Sequence, residues 1–112
     1  MPTCIYTDVP SAPKGPLVVS DITENSCNLK WQPSETDGGK PITKYVIEVR
    51  ESRRSMWSQS GTVGPDKTTF TAKNLNVGNE YNFRIRAVNE EGESSPLEAD
   101  KPVTPKKKIG KG

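Results

Sequence analysis

The stretch Tyr81-Asn82-Phe83-Arg84-Ile85-Arg86-Ala87 constrains the fold of this chain more than any other. Tyr81, Phe83, Ile85 and Ala87 occupy every second position, and polar or basic side chains fill the places between. A strand sends successive side chains to opposite faces, so a period of two makes a strand with one buried face. Two further segments repeat it. Residues 26–32 set Cys27, Leu29 and Trp31 against Asn28 and Lys30; residues 42–51 set Tyr45, Ile47 and Val49 inward and Val46, Glu48 and Arg50 outward.

Strands are also expected over 16–22, 56–62, 68–72, 80–89 and within 94–103. Pro13 and Pro16 suit an edge strand, where a missing N–H does no harm. Pro33 ends the second strand, and Gly38-Gly39 in the loop after it supplies positive φ without steric penalty. Gly64-Pro65-Asp66 and the acidic Glu90-Glu91-Gly92-Glu93 mark further turns. Seven short strands without helical periodicity define an all-β, antiparallel, immunoglobulin-like sandwich of two sheets. The 112 residues suffice for one domain. Its expected extent is 13–104, with residues 1–12 as a leader or linker and 105–112 as a basic tail. The expected core includes Trp31, Tyr45, Ile47, Leu75, Tyr81, Phe83 and Ile85.

Charge and residue usage exclude whole classes of function. The net charge of +2 is misleading, because residues 1–100 carry −3 and the five lysines after them carry +5. A mildly acidic body is a poor match for nucleic acid, whose backbone needs a basic face. No apolar run is long enough to cross a bilayer, and the first residues lack the basic-then-apolar pattern of a secretion signal. With no histidine, Ser-His and Cys-His nucleophiles are impossible, and Cys4 and Cys27 alone make no zinc site. No phosphate-binding glycine loop is present, and the Glu90–Glu93 carboxylates sit in a solvated turn. The expectation is no catalytic residue, no metal and no cofactor. A Cys4–Cys27 bridge would require the leader to thread toward the interior. Two free thiols are therefore expected, which suits a reducing compartment.

The run Leu75-Asn76-Val77-Gly78-Asn79-Glu80-Tyr81-Asn82-Phe83-Arg84-Ile85-Arg86-Ala87-Val88-Asn89 resembles the tyrosine corner of fibronectin type III domains. In that family a leucine precedes the tyrosine by six residues, and the strand continues as aromatic, basic, aliphatic, basic, alanine. Trp31 with Pro33 after it, and the Tyr45, Ile47, Val49 stripe, fit the same family. The resemblance implies that the Tyr81 hydroxyl bonds back to backbone near Leu75. Within the family, Pro13-x-x-Pro16, residues 37–45 (DGGKPITKY) and 46–51 (VIEVRE) with Trp57 beyond are most similar to modules of titin- and twitchin-type giant muscle proteins.

That resemblance implies a non-catalytic spacer and protein-interaction module, monomeric in isolation, in a large cytoplasmic protein of the sarcomere. Its partners would be neighbouring immunoglobulin-like or fibronectin type III domains and thick-filament or other sarcomeric proteins. One alternative is an extracellular adhesion or receptor module, which the absence of Arg-Gly-Asp and of an Asn-x-Ser/Thr acceptor disfavours. Another is a regulatory module flanking a kinase domain. The candidate interaction surface is Glu48, Arg50, Arg84 and Arg86 on neighbouring strands, with Trp57 as a stacking platform for arginine. Simple solvated cross-strand pairs are the plainer account of the same charges. Ser55 after Arg53-Arg54 and Thr104 before Pro105 have the form of kinase targets.

Overall fold

The structure, a computed structural model, describes residues 8–106. Cys4 and the lysines at 107, 108 and 111 lie outside the described residues. Eight strand segments are present: β1 (Lys14–Ser20), β2 (Cys27–Gln32), β3 (Lys44–Glu51), β4 (Ser58–Val63), β5 (Thr69–Ala72), β6 (Tyr81–Asn89), β7 (Gly92–Glu93) and β8 (Leu97–Glu98). They form two antiparallel sheets. One has the order β1-β2-β5; the other runs β4-β3-β6, with β7 and β8 both pairing β6 on its far side. The fold is the all-β sandwich that the alternation demands, and its eighth segment has a simple origin. Glu93 lies opposite Val88, Leu97 opposite Ile85 and Val103 opposite Tyr81, so one final strand follows the whole of β6. Pro96 has no N–H to offer the ladder, and the strand breaks around it.

The two sheets enclose the side chains that alternate inward. Trp31, Tyr45, Phe83, Leu29, Ile47, Ile85 and Cys27 are fully buried, and Leu17, Ala72, Leu75, Tyr81, Ala87 and Val103 complete the cluster. Trp31 and Tyr45 meet edge to face, with ring centroids 5.8 Å apart. Cys27 is a free thiol, and burial pushes its pKa up to about 11. At neutral pH it is a small apolar core group with almost no thiolate. Phe70 seals one open side of the sandwich. Its ring lies so close to Gly61 of β4 that a Cβ there would stand 2.5 Å from the ring.

One residue departs from the alternation. Val46 is expected outward but is only 4% exposed. It stands opposite Arg86 in the β3–β6 ladder, and the Arg86 guanidinium reaches along the face to Glu48. Val46 is thus flanked across both neighbouring strands, by Arg86 on β6 and Thr62 on β4, and a long arginine stem on such a face can cover apolar surface.

The first and last described segments are held at opposite poles of β6. Near Asn89, the Asp8 N–H donates to the Gly38 carbonyl (2.8 Å) and the Ser11 N–H to the Thr36 carbonyl (3.1 Å). At the Tyr81 pole, Tyr81 and Val103 exchange two backbone hydrogen bonds, and the Lys106 N–H donates to the Thr23 carbonyl (3.2 Å). Nine residues at ~3.3 Å per step separate these poles by roughly 26 Å.

The Asn76 N–H donates 2.9 Å to the Tyr81 hydroxyl oxygen, one residue beyond Leu75. This bond ties the 73–80 connection, which crosses from the β5 sheet to the β6 sheet, to the start of β6. Replacing Tyr81 with Phe keeps the buried ring and removes only this acceptor. The expected loss is about 1–2 kcal/mol in urea unfolding with an unchanged m-value. A loss below about 0.5 kcal/mol would reduce Tyr81 to ordinary packing.

Candidate interaction site

The outer face of the β4-β3-β6 sheet gathers the five candidate residues into one network. The β3–β6 register sets Glu48 opposite Arg84 and Val46 opposite Arg86, which places the two arginines on either side of one carboxylate. Arg84 Nε donates to Glu48 Oε1 at 2.6 Å and Arg86 Nε to the same oxygen at 3.0 Å. Trp57, just before β4, lays its indole across this face. Arg84 Cζ lies 4.1 Å from the ring centroid and Arg50 Cζ 5.3 Å from it. Arg86 Nη1 also donates to the Ser94 carbonyl at 2.9 Å. The Arg84 and Glu48 side chains are each less than a fifth exposed, so these are half-buried contacts rather than interleaved charges in water.

Burial by itself raises the Glu48 carboxyl, but the hydrogen bonds and charges of Arg84 and Arg86 together outweigh it. They hold the carboxyl below its ordinary value. The guanidinium planes are thus fixed before any partner arrives. A stacked arginine–tryptophan surface with its rotamers already ordered loses little further entropy on contact, as a docking face requires.

A second cluster, at the Asn89 pole, was not singled out from the residue pattern. Asn89 ends β6 in the inward phase and is 3% exposed. Its Nδ2 donates to the carbonyls of Asp8 (2.8 Å) and Asp37 (2.7 Å), and its Oδ1 accepts from the N–H groups of Glu91 (2.8 Å) and Gly92 (3.2 Å). One side chain therefore fastens the N-terminal segment, the 34–40 loop and the β6–β7 turn. Gly38 has φ 74° and lies against the carbonyls of Asp8 and Val9, so a Cβ there would collide with backbone. Buried Ser94 acts similarly: its Oγ accepts from the Ala87 N–H (2.9 Å) and donates to the Ser95 carbonyl (2.8 Å). The available signal was Asn89 itself, a polar residue at an inward position, since buried polar groups are nearly always hydrogen-bonded.

The two kinase-like motifs occupy unlike surroundings. Ser55 is exposed in the β3–β4 turn. Thr104 is half-buried, and Pro105 beside it is fully buried with its carbonyl accepting from the Gly78 N–H at 3.4 Å. A kinase that reads Thr-Pro in extended form would first have to lift this segment off the domain. Among the described residues there is no group of three or more His, Cys, Asp or Glu side chains placed to share a metal ion.

A two-sheet sandwich with the Tyr81 corner defines the immunoglobulin-like class, and the sequence matches the Fibronectin type III domain over residues 11–100. The chain belongs to the fibronectin type III family. It is 43% identical over 105 residues to a titin homolog of Caenorhabditis elegans, a match covering 87% of this chain and 1% of that protein. It is 36% identical to the cardiac-type myosin-binding protein C of Gallus gallus, covering 88% of this chain and 8% of that protein. Among solved structures, titin kinase and its flanking domains match at 35% identity and a TM-score of 0.78, over 89% of this chain and 18% of that one. The chain is thus a module similar to small parts of much longer relatives.

Two measurements follow from this geometry. Asn89→Ala strips donors from two carbonyls and an acceptor from two N–H groups, and should lower unfolding stability by about 2–4 kcal/mol. A loss under about 1 kcal/mol would mean that water replaces the clasp. For Glu48 the folded-state pKa is depressed, so its stabilising contribution is complete above the ordinary value of 4.5 and is lost as pH falls through the lower folded value. Glu48→Gln should therefore flatten the acid limb of the stability profile; parallel limbs for both proteins would refute the coupling.

Proposed function

We propose that this domain is a non-catalytic spacer and docking module of a large cytoplasmic, sarcomere-associated protein. The carrying observation is that the chain is tied at opposite poles of β6, beside Asn89 at one end and Tyr81 at the other. Modules built this way string head to tail, with immunoglobulin-like or fibronectin type III domains as neighbours. The similarity to a titin homolog and to a myosin-binding protein C supports the sarcomeric setting, and the free Cys27 thiol agrees with a reducing compartment. The domain extends over 13–104, with residues 1–12 leading in and the lysine-rich segment after 104 leading out. Trp57, Arg84, Arg50, Glu48 and Arg86 form the face that meets a thick-filament or other sarcomeric protein.

A second reading, a module beside a kinase domain, is favoured by the match to titin kinase and its flanking domains. A kinase domain encoded next to this chain would decide for it.

Two experiments test the main reading. In single-molecule stretching of a polyprotein of this chain, each copy should unfold as one discrete event. Freeing about 99 residues at ~3.4 Å each should release a length on the order of 300 Å. Gradual lengthening without discrete events would remove the spacer role. Co-sedimentation with purified myosin filaments should be weakened several-fold by Trp57→Ala or Arg84→Ala. Equal pelleting of wild type and variants would remove the docking face while leaving the spacer untouched.

A further inference from the structure

The turn between β3 and β4 carries chemistry that neither the core nor the stacked face uses. Arg53, Arg54, Ser55 and Met56 are consecutive and all exposed, Met56 to 77%. The turn is held by surface hydrogen bonds alone: the Ser52 N–H donates to the Glu80 carbonyl (2.9 Å) and Asn82 Nδ2 to Ser52 Oγ (3.0 Å). The Arg54 N–H donates to the Glu51 carbonyl (2.8 Å), and the Arg50 guanidinium donates to the carbonyls of Ser52 (3.5 Å) and Arg54. Among the described residues the Ser55 hydroxyl has no hydrogen-bond partner. Arg54 pairs with Glu51 at 3.2 Å but remains three-quarters exposed, and Arg53 reaches only Asn79 Oδ1 at 3.5 Å.

We propose that Ser55 is a phosphorylation site for a serine/threonine kinase whose peptide cleft presents acidic side chains. Two exposed guanidinium groups immediately before a free hydroxyl meet paired carboxylates in such a cleft. The kinase supplies ATP. The Ser55 oxygen forms a bond to the γ-phosphorus, the bond to the β–γ bridging oxygen breaks, ADP leaves with that electron pair, and the hydroxyl proton passes to a carboxylate of the kinase.

The fold makes this site accessible without unfolding. No residue from 52 to 56 is buried, so the turn can be drawn into an extended conformation by breaking a few surface hydrogen bonds and no core contact. Thr104 is the opposite case, because buried Pro105 anchors it. Once formed, the phosphate brings close to two negative charges and three acceptor oxygens beside Arg54 and Arg50. Arg50 already reaches the carbonyl just before Ser55 and also flanks Trp57. The site itself does not depend on the stacked face binding any partner.

The test uses the whole folded chain, the catalytic subunit of cyclic-AMP-dependent protein kinase, and Mg-ATP. One phosphate per chain, placed on Ser55 by peptide mapping, is the expected result. Ser55→Ala should abolish it, and the double variant Arg53→Ala, Arg54→Ala should slow it at least about tenfold while circular dichroism shows the fold intact. Three results would each overturn the proposal: no incorporation into the folded chain, modification of Ser55 only after urea unfolding, or a rate indifferent to the two arginines. Phosphate on Thr104 in the folded chain, with Ser55 untouched, would overturn it as well.

Discussion

The eight-residue antiparallel register between β3 and β6 is the constraint from which most of this molecule follows. On its inner face it sets Ile47 against Ile85 and Val49 against Phe83, building half of the core. On its outer face the same register sets Glu48 against Arg84, with Arg86 opposite Val46 one step away. A slip of β6 by one residue would turn its side chains to the other face. It would bury Arg84 and Arg86 and expose Phe83 and Ile85. Core and outer network are therefore one decision expressed on two faces, and the outer one cannot change its spacing independently of the fold.

This is also why so much was legible in the sequence. Period-two burial in β2, β3 and β6 dictates the two sheets, because no other arrangement hides those faces. The fifteen-residue run around Tyr81 then narrows the sandwich to its family. Legibility ends where a side chain's role depends on a neighbour distant in sequence. Val46 is buried on the outer face, between Arg86, forty positions away, and Thr62. Asn89 is a clasp because the backbone of Asp8 and Asp37 converges on it. Neither convergence leaves a local pattern; each arises from which segments the loops bring together. The stacked face falls between these cases. Alternation turns its charged members outward and the family resemblance makes their strands neighbours, but the indole of Trp57 reaching Arg84 on β6 is a fact of three-dimensional placement.

The two poles differ in how they hold the chain, and that difference bears on how tension would enter the domain. At the Tyr81 pole the final segment is held by a backbone pair between Val103 and Tyr81, and by the burial of Val103 and Pro105. At the Asn89 pole the first segment is held by polar contacts: the Asp8 and Ser11 hydrogen bonds and the Asn89 amide. Apolar burial fades gradually as a segment slides, whereas hydrogen bonds of this kind weaken steeply over a fraction of an ångström. Residues 8–11 are fastened at the Asn89 pole, and Pro10 and Pro13 are buried along the same segment, so apolar burial accompanies the polar contacts at this pole too.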